Sequence, residues 1–312
     1  MKSISLQHII PEALANHRLD VVLSQLFPDY SRSQIQHWIK AGSVLVDSKI
    51  IQKPRHAVLT GQNIQIDVEL PEQTECKAQA IPLDIIYEDE SLIVINKSVG
   101  LIVHPGAGNP DNTLVNALLH YAPELSLIPR AGVIHRLDKD TSGLLVIART
   151  LPVHNRLIKD MQARKIHREY RAIVQGRMIS GGTVDMPMAR HPNNRLKMAV
   201  VNSGKEAVTH YRVLERFAEH TLLNVQLETG RTHQIRVHLA HIKYPIVGDA
   251  TYARQRQFPK LSQDAQNALR KFNHQALHAY RLALTHPSTK KPIEWIAPIP
   301  DDIEKLLSIL RE

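Results

Sequence analysis

The sequence predicts an α+β protein in which a small N-terminal domain precedes a larger domain built on a mixed, largely antiparallel sheet. Many short apolar or alternating runs are typical of strands, and few of them are joined by a helix long enough for a parallel crossover. A polar stretch at residues 71–80, with almost no apolar residue, is typical of a linker. We therefore expect domains over residues 1–70 and 81–312.

Length and charge limit the function. With 312 residues, the chain can form two domains and bury a sizeable core. Its 39 lysine and arginine residues exceed its 30 aspartate and glutamate residues, and the net charge of +9 favours a polyanionic partner such as nucleic acid. The sequence shows neither a membrane-spanning apolar stretch nor a signal-peptide core, so we expect a soluble cytoplasmic protein.

Metal and disulfide chemistry are disfavoured by the cysteine and histidine pattern. The single cysteine, Cys76, excludes an internal disulfide and a cysteine-rich zinc site. The chain has 18 histidines, yet neither an HExxH motif nor a paired Cys/His spacing occurs among them. We therefore expect no metal centre.

The N-terminal domain is predicted to contain two helices and a small sheet. Apolar spacing and alternation place these elements at residues 19–27, 31–39, 44–46, 50–51 and 64–68. Either Ser31 or Ser33 is a suitable N-cap for the second helix, and Gly42 ends it.

The larger domain is predicted to be rich in strands. These fall at residues 85–87, 92–97, 131–134, 144–148, 165–174, 208–213 and 221–227. Helices are predicted at residues 113–119 and 153–163, and residues 227–240 are predicted to form a strand and a turn that lead into a helix. The basic, proline-broken residues 190–198 predict a loop.

A dense polar insert lies between two of these apolar runs, residues 131–134 and 144–148, both predicted as buried strands. It contains two carboxylates, Asp138 and Asp140, together with cationic and hydroxyl side chains. Burying charge is costly unless the charge is paired, so the insert is either a surface turn or an active site.

Three residues distant in sequence offer complementary chemistry: Asp138 in a basic loop, Tyr170 in a basic strand and Arg236 after a turn. An aspartate held by an arginine stays ionised and fixed in orientation, so it can act as a nucleophile or a base. A tyrosine ring can stack on a nucleobase. The residues alone thus indicate a nucleic-acid enzyme that uses a carboxylate, with a structural buried ion pair as the alternative.

Three motifs in order resemble the RluA family of pseudouridine synthases. They are His-Arg-Leu-Asp at 135–138 followed by Thr-Ser-Gly at 141–143, Glu-Tyr-Arg-Ala at 169–172, and the run at 230–238. The resemblance covers nearly the whole chain. One departure is Ser98, which follows Lys97 where such enzymes usually have proline.

The resemblance implies that uridine in RNA is isomerised without a cofactor. Asp138 would be the catalytic carboxylate, Arg236 would pair with it, and Tyr170 would stack on the uracil and take the C5 proton. Arg136 would help to hold the flipped nucleotide. Further candidates for substrate binding are His135, Arg231 and Thr141. Arg231 could instead brace the turn in which it lies, and the Thr141 side chain could instead hydrogen bond to the backbone of its own turn.

The first domain resembles the S4 RNA-binding domain in residues 18–20, 31–34 and 42–47. That family holds structured RNA on a helical face and the adjoining loop. Five basic side chains are therefore candidates for contact with RNA phosphates: Arg32, Lys40, Lys49, Lys53 and Arg55.

Within the family, the resemblance points to enzymes that modify the helix 69 loop of 23S rRNA. We accordingly expect 23S rRNA or a precursor of the large ribosomal subunit as partner, no membrane, and a monomer. Two alternatives stay open: a binding module that aids ribosome assembly without catalysis, and an RNA N-glycosidase, which would need an activated water.

Overall fold

The computed structural model describes residues 2–27, 30, 32–70, 76–106, 108–253 and 258–312. The chain divides into two compact units, residues 1–75 and 76–312. Residues 71–75 of the predicted linker lie outside the described residues, as do the candidate N-cap Ser31 and the side chain of Ser33. The end of that linker, at residues 77 and 79, hydrogen bonds to Asn116.

The first unit packs two helices on a four-stranded antiparallel sheet with strand order β1-β4-β2-β3. Its elements are β1 (Lys2–Ile9), α1 (Leu19–Leu26), α2 (Arg32–Ala41), β2 (Val44–Val46), β3 (Lys49–Ile50) and β4 (Asn63–Leu70). Both predicted helices, the hairpin and the last strand are confirmed. Strand β1 was not predicted, because its residues 5–9 stay exposed or half-buried and give a weak hydrophobic signal.

The second unit is organised on a nine-stranded sheet with order β5-β6-β7-β14-β8-β13-β12-β9, and β15 pairs with β14. Its strands are β5 (Ile85–Glu88), β6 (Leu92–Lys97), β7 (Ser142–Ala148), β8 (His167–Gln175), β9 (Gly182–Asp185), β12 (Val208–Arg216), β13 (His220–Leu227), β14 (Leu277–Thr285) and β15 (Pro292–Ile296). Among the described strands, only β7 and β14 pair in parallel, so the predicted mixed and largely antiparallel sheet is confirmed.

Helices cover both faces of this sheet. They are α3 (Leu114–Tyr121), α4 (Leu151–Gln162), α5 (Gln234–His241), α6 (Gln263–Lys271) and α7 (Asp301–Arg311). Strand β7 is buried on both sides: Leu145 and Ile147 pack in a core that includes α3, α5 and α7, whereas Leu144 and Val146 pack in a core that includes α4. Burial on two faces explains why β7 is an uninterrupted apolar run.

The predicted strand at residues 131–134 is wrong. Residues Pro129–Gly132 form a tight turn in which Arg130 and Ala131 have positive φ values of 55° and 50°, and Val133 makes only a single bridge to Ile147 of β7. The turn brings its backbone so close to β7 that a Cβ at Gly132, where φ is 76°, would lie 2.1 Å from the carbonyl oxygen of Ala148. The run is apolar because it packs on the core, and not because it pairs as a strand.

The predicted loop at residues 190–198 is also wrong. These residues belong to a separate hairpin of β10 (Met188–His191) and β11 (Asn194–Val200). Its basic composition concealed the strand signal, because the hairpin stands outside the main sheet and buries few side chains.

The described part of the chain contains no helix both long and apolar enough to cross a membrane. Nor do its histidine, cysteine, aspartate and glutamate side chains gather anywhere in a group of three or more that could hold a metal ion.

Candidate active site

The polar insert forms a tight turn that leads into β7 and presents Asp138. The backbone N–H of Thr141 donates to the carbonyl oxygen of Asp138 at 3.1 Å and closes the turn. The Thr141 side chain is buried, and its hydroxyl accepts from Nε2 of Gln275 at 3.0 Å. Among the described residues, the Thr141 hydroxyl thus bonds the Gln275 side chain and not the backbone of its own turn, and its contact with substrate stays a prediction.

Helix α5 carries Arg236 and is fixed at its start by Gln234. Oε1 of this buried glutamine accepts from the Arg231 backbone and from the Thr229 hydroxyl, and its Nε2 donates to the carbonyl oxygen of Val208 in β12. Because both polar side-chain atoms of Gln234 are engaged, these hydrogen bonds tie the first turn of α5 to β12. Arg236 therefore enters the site from a rigid support.

Asp138, Arg236 and Asp249 form one chain of ion pairs. Nη1 of Arg236 donates to Oδ2 of Asp138 at 2.9 Å, while Nε and Nη2 grip the two oxygens of Asp249 at 2.7 and 2.9 Å. The side chains of Asp249 and Arg236 are 0% and 7% exposed, whereas Asp138 is 16% exposed. Only the Asp138 end of the chain is open to a substrate.

Arg236 is a permanent cation in this arrangement. Burial acts to lower its pKa, but the hydrogen bonds and charges of Asp249 and Asp138 raise the pKa above its usual value. Asp249 is itself fixed, since its Oδ1 also accepts from the backbone N–H groups of Thr251 and Tyr252. The guanidinium thus orients the Asp138 carboxylate.

Tyr170 lies in the middle of β8, with 4% of its surface exposed. Burial raises the pKa of its phenol, and the negative charge of Asp138 raises it further against the opposing effect of Arg168. The hydroxyl is therefore protonated at neutral pH. This state favours a stacking role for the ring and works against removal of the C5 proton by a phenolate.

The other predicted substrate contacts have different surroundings. Arg136 is exposed next to the Asp138 turn. His135 instead packs against β7, where its Nε2 accepts from the Val146 backbone at 3.4 Å, and burial lowers its pKa to about 3. Arg231 braces its own turn by donating from Nε to the carbonyl oxygen of Glu206 at 3.0 Å.

Two important residues were missed by the sequence reasoning. One is Asp249, described above. Its sequence signal is a lone acidic residue after an apolar stretch, and this pattern is not distinctive. The other is Lys97, which is buried and donates from Nζ to the carbonyl oxygens of Ser98, Leu101 and Lys139 at 2.7 to 2.9 Å. Lys97 therefore ties β6 to the turn that carries Asp138.

Burial lowers the pKa of Lys97 to about 8, although Asp140 and Asp138 oppose the shift. The departure at Ser98 leaves this contact intact, because Lys97 uses the backbone carbonyl of residue 98 and proline would supply the same group.

In the first unit, Arg32 shares a carboxylate with a second arginine. Both Arg18 and Arg32 donate to the buried Asp20, at distances of 2.9 to 3.2 Å, and Gln36 donates to it at 2.6 Å. Burial acts to raise the pKa of Asp20, but these hydrogen bonds lower it to about 2. The remaining candidates for RNA contact are all exposed: Lys40, Lys49, Lys53 and Arg55.

Comparison with known proteins identifies the class. The family model for RNA pseudouridylate synthase matches residues 91–241, and the S4 domain model matches residues 17–64. The structure of human RNA pseudouridylate synthase domain containing 4 is 29% identical, with a TM-score of 0.58 over 73% of this chain and 93% of that one. The chain belongs to the RNA pseudouridine synthase family and carries an S4 domain.

Two relatives in this family carry the same name. The chain is 52% identical over 307 residues to ribosomal large subunit pseudouridine synthase D of Xanthomonas campestris pv. campestris, covering 98% of this chain and 92% of that protein. It is also 52% identical over 309 residues to the protein of that name from Escherichia coli strain K12, covering 99% and 95%. The protein is thus an isomerase that converts uridine in RNA to pseudouridine, which removes the N-glycosidase alternative.

Proposed function

We propose that this enzyme isomerises uridines of 23S rRNA in the loop of helix 69 and that Asp138 starts the reaction. The observation that carries the catalytic assignment is the chain from Asp249 through Arg236 to Asp138, which leaves one ionised carboxylate open at the end of a rigid support. The large-subunit substrate is supported by the shared name of relatives that are 52% identical over 92 to 95% of their length.

The reaction breaks the bond between C1′ and N1, turns the uracil within the site, joins C1′ to C5, releases the proton of C5 and leaves N1 protonated. The product has the same composition as the substrate, so no cofactor is consumed. A fixed carboxylate can begin this sequence by attack on C1′, by attack on C6 or by removal of the 2′ proton. A primary deuterium isotope effect at C2′ in single turnover selects the third route, and its absence leaves the two attacks.

The target nucleotide must leave its stack to reach Asp138. Flipping costs a few kcal/mol, and less where stacking is already incomplete, which favours a uridine in a hairpin loop. In our assignment Tyr170 stacks on the extruded uracil, and Arg136, exposed beside the Asp138 turn, holds the nucleotide out of its loop.

The experiment uses helix 69 RNA carrying tritium at C5 of uridine. We expect tritium release together with pseudouridine in the nucleoside digest, and no release by Asp138→Asn at unchanged RNA affinity. Folded wild-type protein that releases no tritium from this RNA, but does so from another part of 23S rRNA, contradicts the helix 69 assignment.

A second role in ribosome assembly is suggested by the exposed basic side chains of the S4 unit. An Asp138→Asn strain that assembles large subunits normally, beside a deletion strain that does not, supports this role. The proposed substrate places the enzyme in the cytoplasm with the ribosome, and we expect it to act as a monomer.

A further inference from the structure

Arg168 is a buried arginine without a counter-ion among the described residues. It precedes Tyr170 by two positions in β8, so the two side chains share one face of the strand. Arg168 is 9% exposed, and its Nε is buried with no hydrogen-bond partner. Within the described part of the chain, the guanidinium forms no ion pair. An arginine cannot shed its proton to escape this situation.

The guanidinium lies at the active site. Its charge acts on the phenol of Tyr170 and on the ring of His135, which adjoins the Asp138 turn. A Cβ placed on Gly230 would lie 2.9 Å from Nη1 of Arg168. Gly230 therefore makes room for this guanidinium in the turn that leads to α5 and Arg236.

Neighbouring carboxylates are committed elsewhere. Asp138 and Asp249 both pair with Arg236. Glu169, next to Arg168 in β8, pairs with Arg281, and Glu228, directly after β13, pairs with Arg164 and His210. The site therefore holds a buried cation that the described side chains do not neutralise.

The missing partner must bring negative charge. A carbonyl or hydroxyl oxygen of the base or ribose could accept hydrogen bonds from Arg168 but would not offset the buried charge. A phosphodiester supplies both charge and two oxygens, which match the planar fork of a guanidinium. RNA is the substrate of the enzyme family, so this group arrives with every substrate.

We infer that Arg168 binds a backbone phosphate flanking the flipped uridine and thereby positions the nucleotide between Asp138 and Tyr170. This role rests on the proposed placement of the uridine, although it does not depend on which loop supplies it. The phosphate neutralises the guanidinium on binding, so the contact forms only when a nucleotide is seated.

The test compares Arg168→Met with Arg171→Met. Arg171 is a matched control because it lies in the same strand on the opposite face, over the Tyr280 ring at 3.9 Å and bonded to Asn224. Both substitutions are made in the Asp138→Asn background, and RNA affinity is measured against salt concentration. We expect the slope of log K against log salt to fall by about 0.7 to 0.9 for Arg168→Met and by much less for Arg171→Met.

Turnover and stability provide independent readouts. In otherwise wild-type enzyme, Arg168→Met should lower kcat/KM by about 10- to 100-fold, the range for a lost charge-assisted hydrogen bond, and Arg168→Lys should recover part of the loss. The melting temperature of RNA-free Arg168→Met should equal or exceed that of the wild type, because a buried unpaired charge has been removed.

Two results would overturn the proposal. An unchanged salt slope with reduced turnover would assign Arg168 to a neutral oxygen of the nucleotide, and a lower melting temperature would assign it a structural role. The RNA is the helix 69 hairpin if wild-type enzyme modifies it, and otherwise the 23S rRNA fragment that it does modify. If the helix 69 proposal fails, the wild-type enzyme does not modify the helix 69 hairpin. The Arg168 variants are then compared on the RNA that the wild-type enzyme does modify, so the test of Arg168 stays valid.

Discussion

Each unit of the protein contains a buried cluster of aspartate and arginine, and the two clusters have opposite compositions. In the first unit, one fully buried carboxylate, Asp20, holds two arginines, Arg18 and Arg32, whose side chains are 42% and 51% exposed. In the second unit, one buried arginine, Arg236, holds two carboxylates, and the exposed end is Asp138. The first cluster presents cations to solvent, and the second presents a carboxylate.

The difference shows how burial decides which charge is available. In each cluster, the buried residue, Asp20 or Arg236, fixes the geometry. The more exposed residues are the ones available to contact RNA. Two half-exposed guanidinium groups with one shared counter-ion suit the attraction of RNA phosphates. A single carboxylate held from behind by Arg236 suits attack on one nucleotide. Substitution of the open and hidden members should therefore have different effects.

The largest effect is expected at the open end of the second cluster. Asp138→Asn removes the reacting charge and should lower kcat by about 10⁴-fold or more, as loss of a central catalytic carboxylate does elsewhere. RNA affinity should stay within a few-fold of the wild type. Single-turnover kinetics and filter binding measure the two quantities, and activity within tenfold of the wild type would contradict the assigned role.

The hidden end of the same cluster should matter next. Asp249→Asn leaves the volume unchanged but cannot accept from Nε and Nη2 of Arg236 together, so Arg236 shifts and Asp138 with it. We expect kcat to fall about 100-fold with little change in KM. The free energy of unfolding should drop by about 3 to 5 kcal/mol, because a buried ion pair is broken. A normal kcat would show that Asp249 does not position the site.

The hidden carboxylate of the first unit should affect stability and RNA affinity, but not the chemical step. Asp20→Asn should lower the free energy of unfolding by about 1 to 3 kcal/mol, since Arg18 and Arg32 can be solvated when released. We expect weaker RNA binding and an unchanged single-turnover rate at saturating RNA. A reduced rate at saturation would contradict the separation of roles between the units.

The last difference concerns pH, because the second unit contains buried histidines. Burial lowers the pKa of four histidines from 6.5 to between about 3 and about 4: His104, His135, His220 and His278. Between these values the unfolded chain binds more protons than the folded chain, so stability is full above pH 6.5 and falls as the pH drops towards 4.

His220 is the best position to check this, because it is fully buried and neither ring nitrogen has a hydrogen-bond partner among the described residues. His220→Phe, which keeps a ring against Phe258, should reduce the pH slope by up to about 1.4 kcal/mol per unit below pH 6. Urea unfolding at pH 7.5 and pH 5 measures it. An unchanged slope would show that His220 does not titrate with folding.

Local hydrophobic patterns were sufficient to predict the helices and strands whose burial follows from their own residue spacing. The apolar run of β7 and the spacing of α1 predicted their structures, because a strand buried on two faces and an amphipathic helix leave clear signals. Residues 131–134 gave a similar apolar signal but form a turn, since their burial comes from packing on β7. The hairpin of β10 and β11 gave almost no signal, because it buries little.

The residues of the candidate site also fall into those that sequence motifs could indicate and those that only the structure reveals. Asp138, Tyr170 and Arg236 could be selected from their motifs, and the structure gathers Asp138 and Arg236 into a direct ion pair. Asp249 and Arg168 could not be selected, because their importance depends on whether each charge is paired. The role of Lys97 likewise depends on its hydrogen bonds to three backbone carbonyl groups, one of which lies 42 positions away in the sequence.

The sequence by itself determined the class of fold, the family and the residue types available for chemistry, because these depend on patterns along the chain. Tertiary structure decided which charges are hidden and which are open. A buried charge must find its partner in space, and Arg236 finds Asp138 across 98 positions and Asp249 across 13. Within the described part of the chain, this pairing leaves Asp138 partly exposed and Arg168 without a counter-ion, and local sequence patterns predict neither outcome.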